Sequence, residues 1–402
     1  MAMRCKKIHC LGLTASALLF AVHATAQAQA QAELFARDLG SPSSAFVGPQ
    51  AAYAIAGNSP TGFQGGSASS GNFYTNAAGQ AAGQAYGTNS TNSAANAANR
   101  AFLYSGGVVN DVGTLGGTGS YATGINASGQ VTGYSDATGN TATRAFMYSG
   151  GKLNDLGTLG GSYSTAQGIN DAGQVVGSSY VKGDVGQRAF LYSNGSMRDL
   201  GTLGGNTSFG TAVNNSGIAI GDSYLSNNTS MHAFVYSSGG MTDVGTLGGT
   251  SSTAVGLNSS GQVIGNSHIA GNAATRGFLF SNGQLINLGT LGGTNSYVSS
   301  INSAGQIIGT SDIAGDKAQH SFLYSNGLMV DLSSLFPGLT NFVATGINDA
   351  MQIIGTAITK TGLTRGFIVS AVPEPSGVWT ALSGMAVLVG LAWARRRRSV
   401  LR

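Results

Sequence analysis

The stretch RAFMYSGGKLNDLGTLGGSYSTAQGINDAGQVVGSSYVKGDVGQ, residues 144–187, decides the fold, because the chain repeats it. It opens with an alternating aromatic and aliphatic strand, residues 144–149, and turns at Gly150-Gly151. Three other copies put Asn194-Gly195, Asn282-Gly283 and Asn326-Gly327 at that turn. A two-residue Asn-Gly loop is the strongest short-range hairpin signal, since both positions need positive φ. A second strand, 152–157, ends in Gly157-Thr158-Leu159-Gly160-Gly161. A third, 165–169, turns through Asn170-Asp171-Ala172-Gly173 into a fourth, 174–178.

Outward from this copy, the anchor Phe146 recurs at Phe102, Phe190, Phe234, Phe278 and Phe322 in steps of 44 residues, and at Phe367 after 45. Self-similarity at this period marks stacked units that cannot bury their apolar faces alone. Four short strands per repeat is the size of a propeller blade. The N-x-x-G-Q turn begins seven times, at Asn76, Asn126, Asn170, Asn214, Asn258, Asn302 and Asn348, with Ile218 for Gln and Met351 for Gly in two copies. The first unit starts at its second strand, and the last ends in a lone first strand, residues 365–370. A closed seven-bladed β-propeller would use that orphan to complete the first blade and leave no exposed edge. The alternative is a β-solenoid, which would leave it unpaired.

The two ends stand outside the repeats. Residues 1–32 read as a secretory signal, with Arg4, Lys6 and Lys7 ahead of an apolar stretch and cleavage options from Ala26 to Ala32. Both cysteines, Cys5 and Cys10, fall in this segment, so the mature chain is expected to have no disulfide. Residues 372–402 carry Pro373-Glu374-Pro375, an uncharged run over 376–394 long enough to span a bilayer, and Arg395-Arg396-Arg397-Arg398. Of 19 basic and 15 acidic residues, the first segment holds three basic and the last holds five basic and one acidic. That leaves 11 basic against 14 acidic in residues 33–371, and no nucleic-acid footprint.

The last segment resembles the PEP-CTERM sorting tail in signature, span and basic end; an ordinary membrane anchor is the alternative. That resemblance implies export in a Gram-negative bacterium, an inner-membrane intermediate, and removal of the tail by an exosortase-type enzyme. It also implies a place at the cell surface or in the extracellular biofilm matrix, often of exopolysaccharide producers. The repeats resemble the HAF repeats of exported bacterial proteins, named for the motif seen here as His232-Ala233-Phe234. That family carries no single activity.

In such a blade the tight Asn-Gly and Asn-x-x-Gly turns lie on one rim, and the G-T-L-G-G loops and irregular connections on the other. The variable rim also receives residues 41–71, a Gly/Ser/Ala-rich insertion that is either a binding loop or disordered. Asp136, Asp184, Asp222, Asp312 and Asp316 fall outside the repeat register on this rim, with His268 in an equivalent connection. They are candidates for binding a cation or a sugar, or simply solvated loop charges. The periodic Arg or His that opens each copy faces the D-L-G aspartate diagonally, which predicts structural ion pairs. No H-E-x-x-H, G-x-S-x-G, zinc-type cysteine pair or calcium loop is present, and no cofactor or metal is expected. Trp379 and Trp393 both lie in the tail. The expectation is a non-catalytic binding or scaffold module for exopolysaccharide or a surface protein; the alternative is a propeller lyase or glycosidase.

Overall fold

The computed structural model describes residues 34–40, 74–87, 98–336 and 339–371. The expected signal (1–32), insertion (41–71) and sorting tail (372–402), with Pro373, Glu374, Pro375 and Arg395–Arg398, lie outside the described residues. Among the described residues no helix is long and apolar enough to cross a membrane. By its contacts the chain forms one unit of Asp38–Ile368 and another of Met1–Arg37 with Val369–Arg402. In the second unit, the described residues 34–37 and 369–371 are all strand.

Seven antiparallel sheets of four strands make a seven-bladed β-propeller. Blade 3 shows the plan with strands Gly160–Ile169, Val175–Val181, Gln187–Ser193 and Ser196–Asp199, hydrogen-bonded in that order. The first strands of blades 2, 4, 5 and 6 are Gly116–Ile125, Gly204–Val213, Gly248–Leu257 and Gly292–Ile301, and with Gly160–Ile169 of blade 3 between the first two, successive starts lie 44 residues apart. Blade 1 begins at Tyr74–Thr75. Blade 7 joins Leu339–Ile347, Ile353–Thr359 and Thr364–Ala371 to the N-terminal strand Leu34–Gly40.

The blade frame therefore differs from the sequence repeat by two strands. The C-terminal strand does pair with residues 34–40, as its orphan status predicts. It closes blade 7, however, while Tyr74–Thr75 and Ala81–Gly87 belong to blade 1. The reason is the chemistry of the two connections. Val175–Val181 reaches Gln187–Ser193 through only five residues, a length suited to an antiparallel neighbour. The Gly157–Gly161 segment instead carries the chain to the next sheet. Leu159 bridges Val181 in parallel, its N–H donates to Ser179 Oγ at 2.9 Å, and Gly160 has φ +99°. Gly161 follows because a Cβ there would sit 2.6 Å from both Tyr180 Cβ and Val181 O. The shift leaves the two rims unchanged, since it moves the frame by a whole hairpin.

Burial lies between blades. Phe190 of blade 3 is fully buried in a cluster with Ala145 and Leu156 of blade 2 and Ala166 and Val175 of its own blade. Phe146, Phe234, Phe278 and Phe322 are equally buried, each worth about 1.5–3 kcal/mol of transfer free energy. Tyr148, Tyr192 and Tyr324 pack against these clusters, while Tyr236 is buried within one. Buried serines satisfy the strand ends at the seam. Ser164 Oγ accepts the Ala145 N–H at 2.9 Å and donates to Gly157 O at 2.6 Å. Ser208, Ser252 and Ser296 repeat both bonds. Single hydroxyls that bond two backbone groups in this way join blades with uncharged side chains, in a chain of which 8% is charged.

Candidate binding rim

The tight-turn rim is the regular one. Asn194 and Gly195 take φ of 53° and 79°, the mirror-image turn that suits a two-residue hairpin. In the other turn, Asn170 Oδ1 accepts the Gln174 N–H at 2.9 Å. Its Nδ2 donates to Gln174 Oε1 at 2.7 Å and to Asn214 O of the next blade at 2.8 Å. The blade-to-blade bond recurs from Asn76, Asn126, Asn214, Asn258 and Asn302. Asn76, Asn126, Asn170, Asn214 and Asn258 line an open depression of about 380 Å³ where the first strands of blades 1–5 end. Their side-chain donors are already engaged within the protein.

The six candidate residues fall into three repeat positions, which corrects their assignment outside the register, and two of the three positions lie on the other rim. Asp184 and Asp316 occupy one position with Asn140, Asn228 and Asn272. All five take positive φ between 52° and 56°, a region Asn and Asp tolerate. Each side chain accepts a first-strand N–H, that of Thr118, Ser162, Asn206, Thr250 or Thr294, at 2.6–2.9 Å. The bond from Ser162 holds the Asp184 carboxyl below its usual range. Thr294, through its hydroxyl first, does the same for Asp316. The 44-residue spacing was visible in the sequence; the alternation of Asn with Asp concealed it.

Asp136, His268 and Asp312 share a second position with Tyr180 and Tyr224, at the end of the second strand. Asp136 Oδ2 accepts the Gly119 N–H at 3.1 Å, and Asp312 Oδ2 accepts the Asn295 N–H at 2.9 Å. His268 is half-buried, and its Nδ1 has no hydrogen-bond partner. Asp222 is not a rim residue. It lies inside the second strand of blade 4, Ala219–Leu225, where Tyr134, Ser178, Asn266 and Thr310 stand in other blades. Its Oδ1 accepts the Ala254 N–H of blade 5 at 2.7 Å, and burial pushes its carboxyl up to about 7. The carboxylates thus lie about one per blade, each tied to a backbone N–H. Among the described residues no three His, Cys, Asp or Glu side chains gather in one place.

Among the described residues the periodic Arg or His meets its aspartate in three blades: Arg100 forms an ion pair with Asp111 at 2.9 Å, and the Nδ1 atoms of His232 and His320 lie within hydrogen-bond distance of Asp243 at 2.9 Å and Asp331 at 2.8 Å. The Phe146–Asp155 register that predicts these contacts is present. Arg188 turns instead to the backbone oxygen of Asn206 in the next blade.

Aromatic residues outside the HAF motif are what the sequence reading passed over. Tyr121 and Tyr134 of blade 2 stack with ring centroids 4.9 Å apart, and Tyr163 and Tyr180 of blade 3 meet edge-on at 5.8 Å. Burial and the neighbouring Tyr121, Tyr163 and Tyr74 raise the Tyr134 phenol, and the blade 2 strand that carries Tyr134 packs against the blade 3 strand that carries Tyr163. All four rings are half-buried. Blade 5 has Thr253, Asn266, Ser251 and His268 at the same four positions.

No family model matches the chain, and comparison with curated protein sequences finds no match. Solved structures with a similar course include the β-propeller domain of the trilobed protease from Pyrococcus furiosus. There the identity is 8% and the TM-score 0.47, covering 75% of this chain and 97% of that one. TolB from Acinetobacter baumannii matches at 10% identity and TM-score 0.37, over 72% of this chain and 63% of that one. Dipeptidyl peptidase 4 from Porphyromonas gingivalis matches at 8% identity and TM-score 0.42, over 71% and 50% of the two chains.

Proposed function

We propose that this chain is exported and acts outside the cell as a non-catalytic binding or scaffold module, with the variable rim as its contact face. The observation that carries the reading is the contrast between the two rims. One repeats a closed hydrogen-bond network from blade to blade. The other keeps its backbone and changes its side chains, from Asp136 to Tyr180, Tyr224, His268 and Asp312 at a single position. A rigid frame with positions free to vary is how binding surfaces are built on repeat folds. The signal-like start, the sorting-type tail and the low charge of the core support work at the surface or in the matrix, with an exosortase-type enzyme as processing partner.

The test is sedimentation of the full chain with the insoluble extracellular polymer of the producing cells. Retention that falls when Tyr163 is changed to Thr, but not when Asp171 on the opposite rim is changed to Asn, supports the reading. No retention, equal loss from both variants, or a steady fall in polymer viscosity on incubation would overturn it. The last outcome would point to a lyase or glycosidase.

A further inference from the structure

We propose that Tyr121, Tyr134, Tyr163 and Tyr180 form a stacking site for a chain of neutral, β-linked hexoses; this rests on the variable rim being the contact face. The fold does not require these rings. Blade 5 builds the same strands, bulges and seams with Thr253, Asn266, Ser251 and His268. Phe209 and Tyr297 repeat the aromatic at the Tyr121 position and Tyr224 that at the Tyr180 position, but Tyr134 and Tyr163 have no aromatic counterpart in blades 2–6, and they complete the two pairs.

Their arrangement suits a sugar more than an apolar segment. A tyrosine ring offers a flat, electron-rich face to the axial C–H groups of a pyranose and a hydroxyl at its edge. When every ring substituent is equatorial, the C–H faces are flat on both sides, which is the case for β-linked glucose. Two pairs, one from each blade, give successive platforms along a chain. Polar groups stand beside them, as ligand sites on aromatic walls require. Asn99 Nδ2 donates to the Tyr121 hydroxyl at 3.3 Å. Asp136 uses Oδ2 on the Gly119 N–H, while its Oδ1 meets only the Thr143 hydroxyl at 3.5 Å, which leaves acceptor capacity for a sugar hydroxyl. That carboxylate beside Tyr134, in a core with more acidic than basic residues, selects against uronic acids and sulfated sugars.

The experiment is isothermal titration of the full chain with cellohexaose, laminarihexaose and hexagalacturonate. The comparison protein is the triple variant Tyr121→Thr, Tyr134→Asn, Tyr163→Thr, which transplants residues the chain itself uses in blades 4 and 5. Binding of at least one neutral hexaose, weakened tenfold or more in the triple variant at an unchanged melting temperature, is the expected result. If the triple variant melts early, Tyr163→Thr alone, as in Thr207 of blade 4, is titrated and should weaken binding at least threefold. Absence of binding by both neutral hexaoses, preference for hexagalacturonate, or full binding by the folded variants would overturn the proposal. If extracellular polymer retains the chain through the rim while no neutral hexaose binds, the stacking site fails and the contact-face reading stands.

Discussion

Asp222 of blade 4 accepts the backbone N–H of Ala254 in blade 5 at 2.7 Å, where Asn266 of blade 5 makes the same bond to Val298 of blade 6 at 3.0 Å. Asparagine does this without a charge. Burial raises the Asp222 carboxyl to about 7, so the folded state holds its proton over a range where the unfolded chain has released it. Stability is then lost as pH rises from about 4 to about 7 and is flat above, by about 1–4 kcal/mol in all. Asp222→Asn should raise the melting temperature at pH 8, leave it unchanged at pH 4, and flatten the profile between them. Thermal melts at a series of pH values check this; an unaltered profile would show that Asp222 does not set it.

Ser164 tests the seam between blades. Replacement by Ala leaves the Ala145 N–H, in a buried setting, and Gly157 O, in a half-buried one, without their partner. The expected loss is about 1–3 kcal/mol, read as a lower urea midpoint with an unchanged slope. A cavity alone cannot account for it, since only one hydroxyl is removed.

Asp184→Asn is expected to leave the fold unchanged and to lower the melting temperature at pH 7 only slightly, because the exposed carboxylate that Ser162 favours gives up its charge but keeps an acceptor in place. Asn140, Asn228 and Asn272 hold the same positive φ and accept the same N–H in their own blades. Asp184→Ala should lower the melting temperature further, because Ala has no acceptor for the Ser162 N–H and disfavours φ of 55°. Paired thermal melts of the two variants distinguish position from charge.

Sequence reading recovered what the repeat period encodes. Strand number, the Phe146–Asp155 register and the two kinds of tight turn follow from alternation and from Asn-Gly chemistry. The blade frame did not, because nothing local in Gly157–Gly161 says whether Leu159 stays on its own sheet or crosses to the next. That depends on Ser179, twenty residues later, catching the Leu159 N–H. The candidate site was harder still. Asp184 and Asn140 differ in charge but do one job, and Tyr121 meets Tyr134 only because a bulge between Ala122 and Gly124 shifts the register that the turn sets. An inventory of acidic residues singles out the aspartates and passes over the tyrosines.

Met351 stands where six other copies of the Asn-x-x-Gly turn have glycine, and holds φ of 59°. An unbranched side chain in that region costs about 1–2 kcal/mol, partly offset by the entropy glycine loses on folding. Met351→Gly should therefore stabilise the chain by up to about 1 kcal/mol. The Met351 N–H bond to Asn348 O is a backbone bond and survives the change. Chemical denaturation of the single variant measures it, and a lower midpoint would mean that the Gln306 Nε2 contact with Met351 Sδ matters more than the backbone.

Asn170 gives the sharpest test of the tight-turn rim, because its two ends do opposite work. Oδ1 accepts from the Gln174 N–H, while Nδ2 donates to both Gln174 Oε1 and Asn214 O. Asn170→Ala removes all three bonds in a site where the residue is 3% exposed, at an expected cost of about 1–3 kcal/mol. Asn170→Asp keeps the acceptor and turns the donor into a second carboxylate oxygen, aimed at two oxygens. Above pH 6 this variant should be less stable than the alanine one, since buried like-signed dipoles and charge add to the lost bonds. Those same neighbours raise the folded-state pKa of the new carboxyl, so its penalty is lost as pH falls and the acid regains one donor proton. Urea titrations of both variants at pH 4 and pH 7.5 should therefore cross, with Asn170→Asp the more stable at the lower pH and the less stable at the higher. Parallel behaviour at both pH values would mean that the Asn170-to-Asn214 bond adds little to the join between blades.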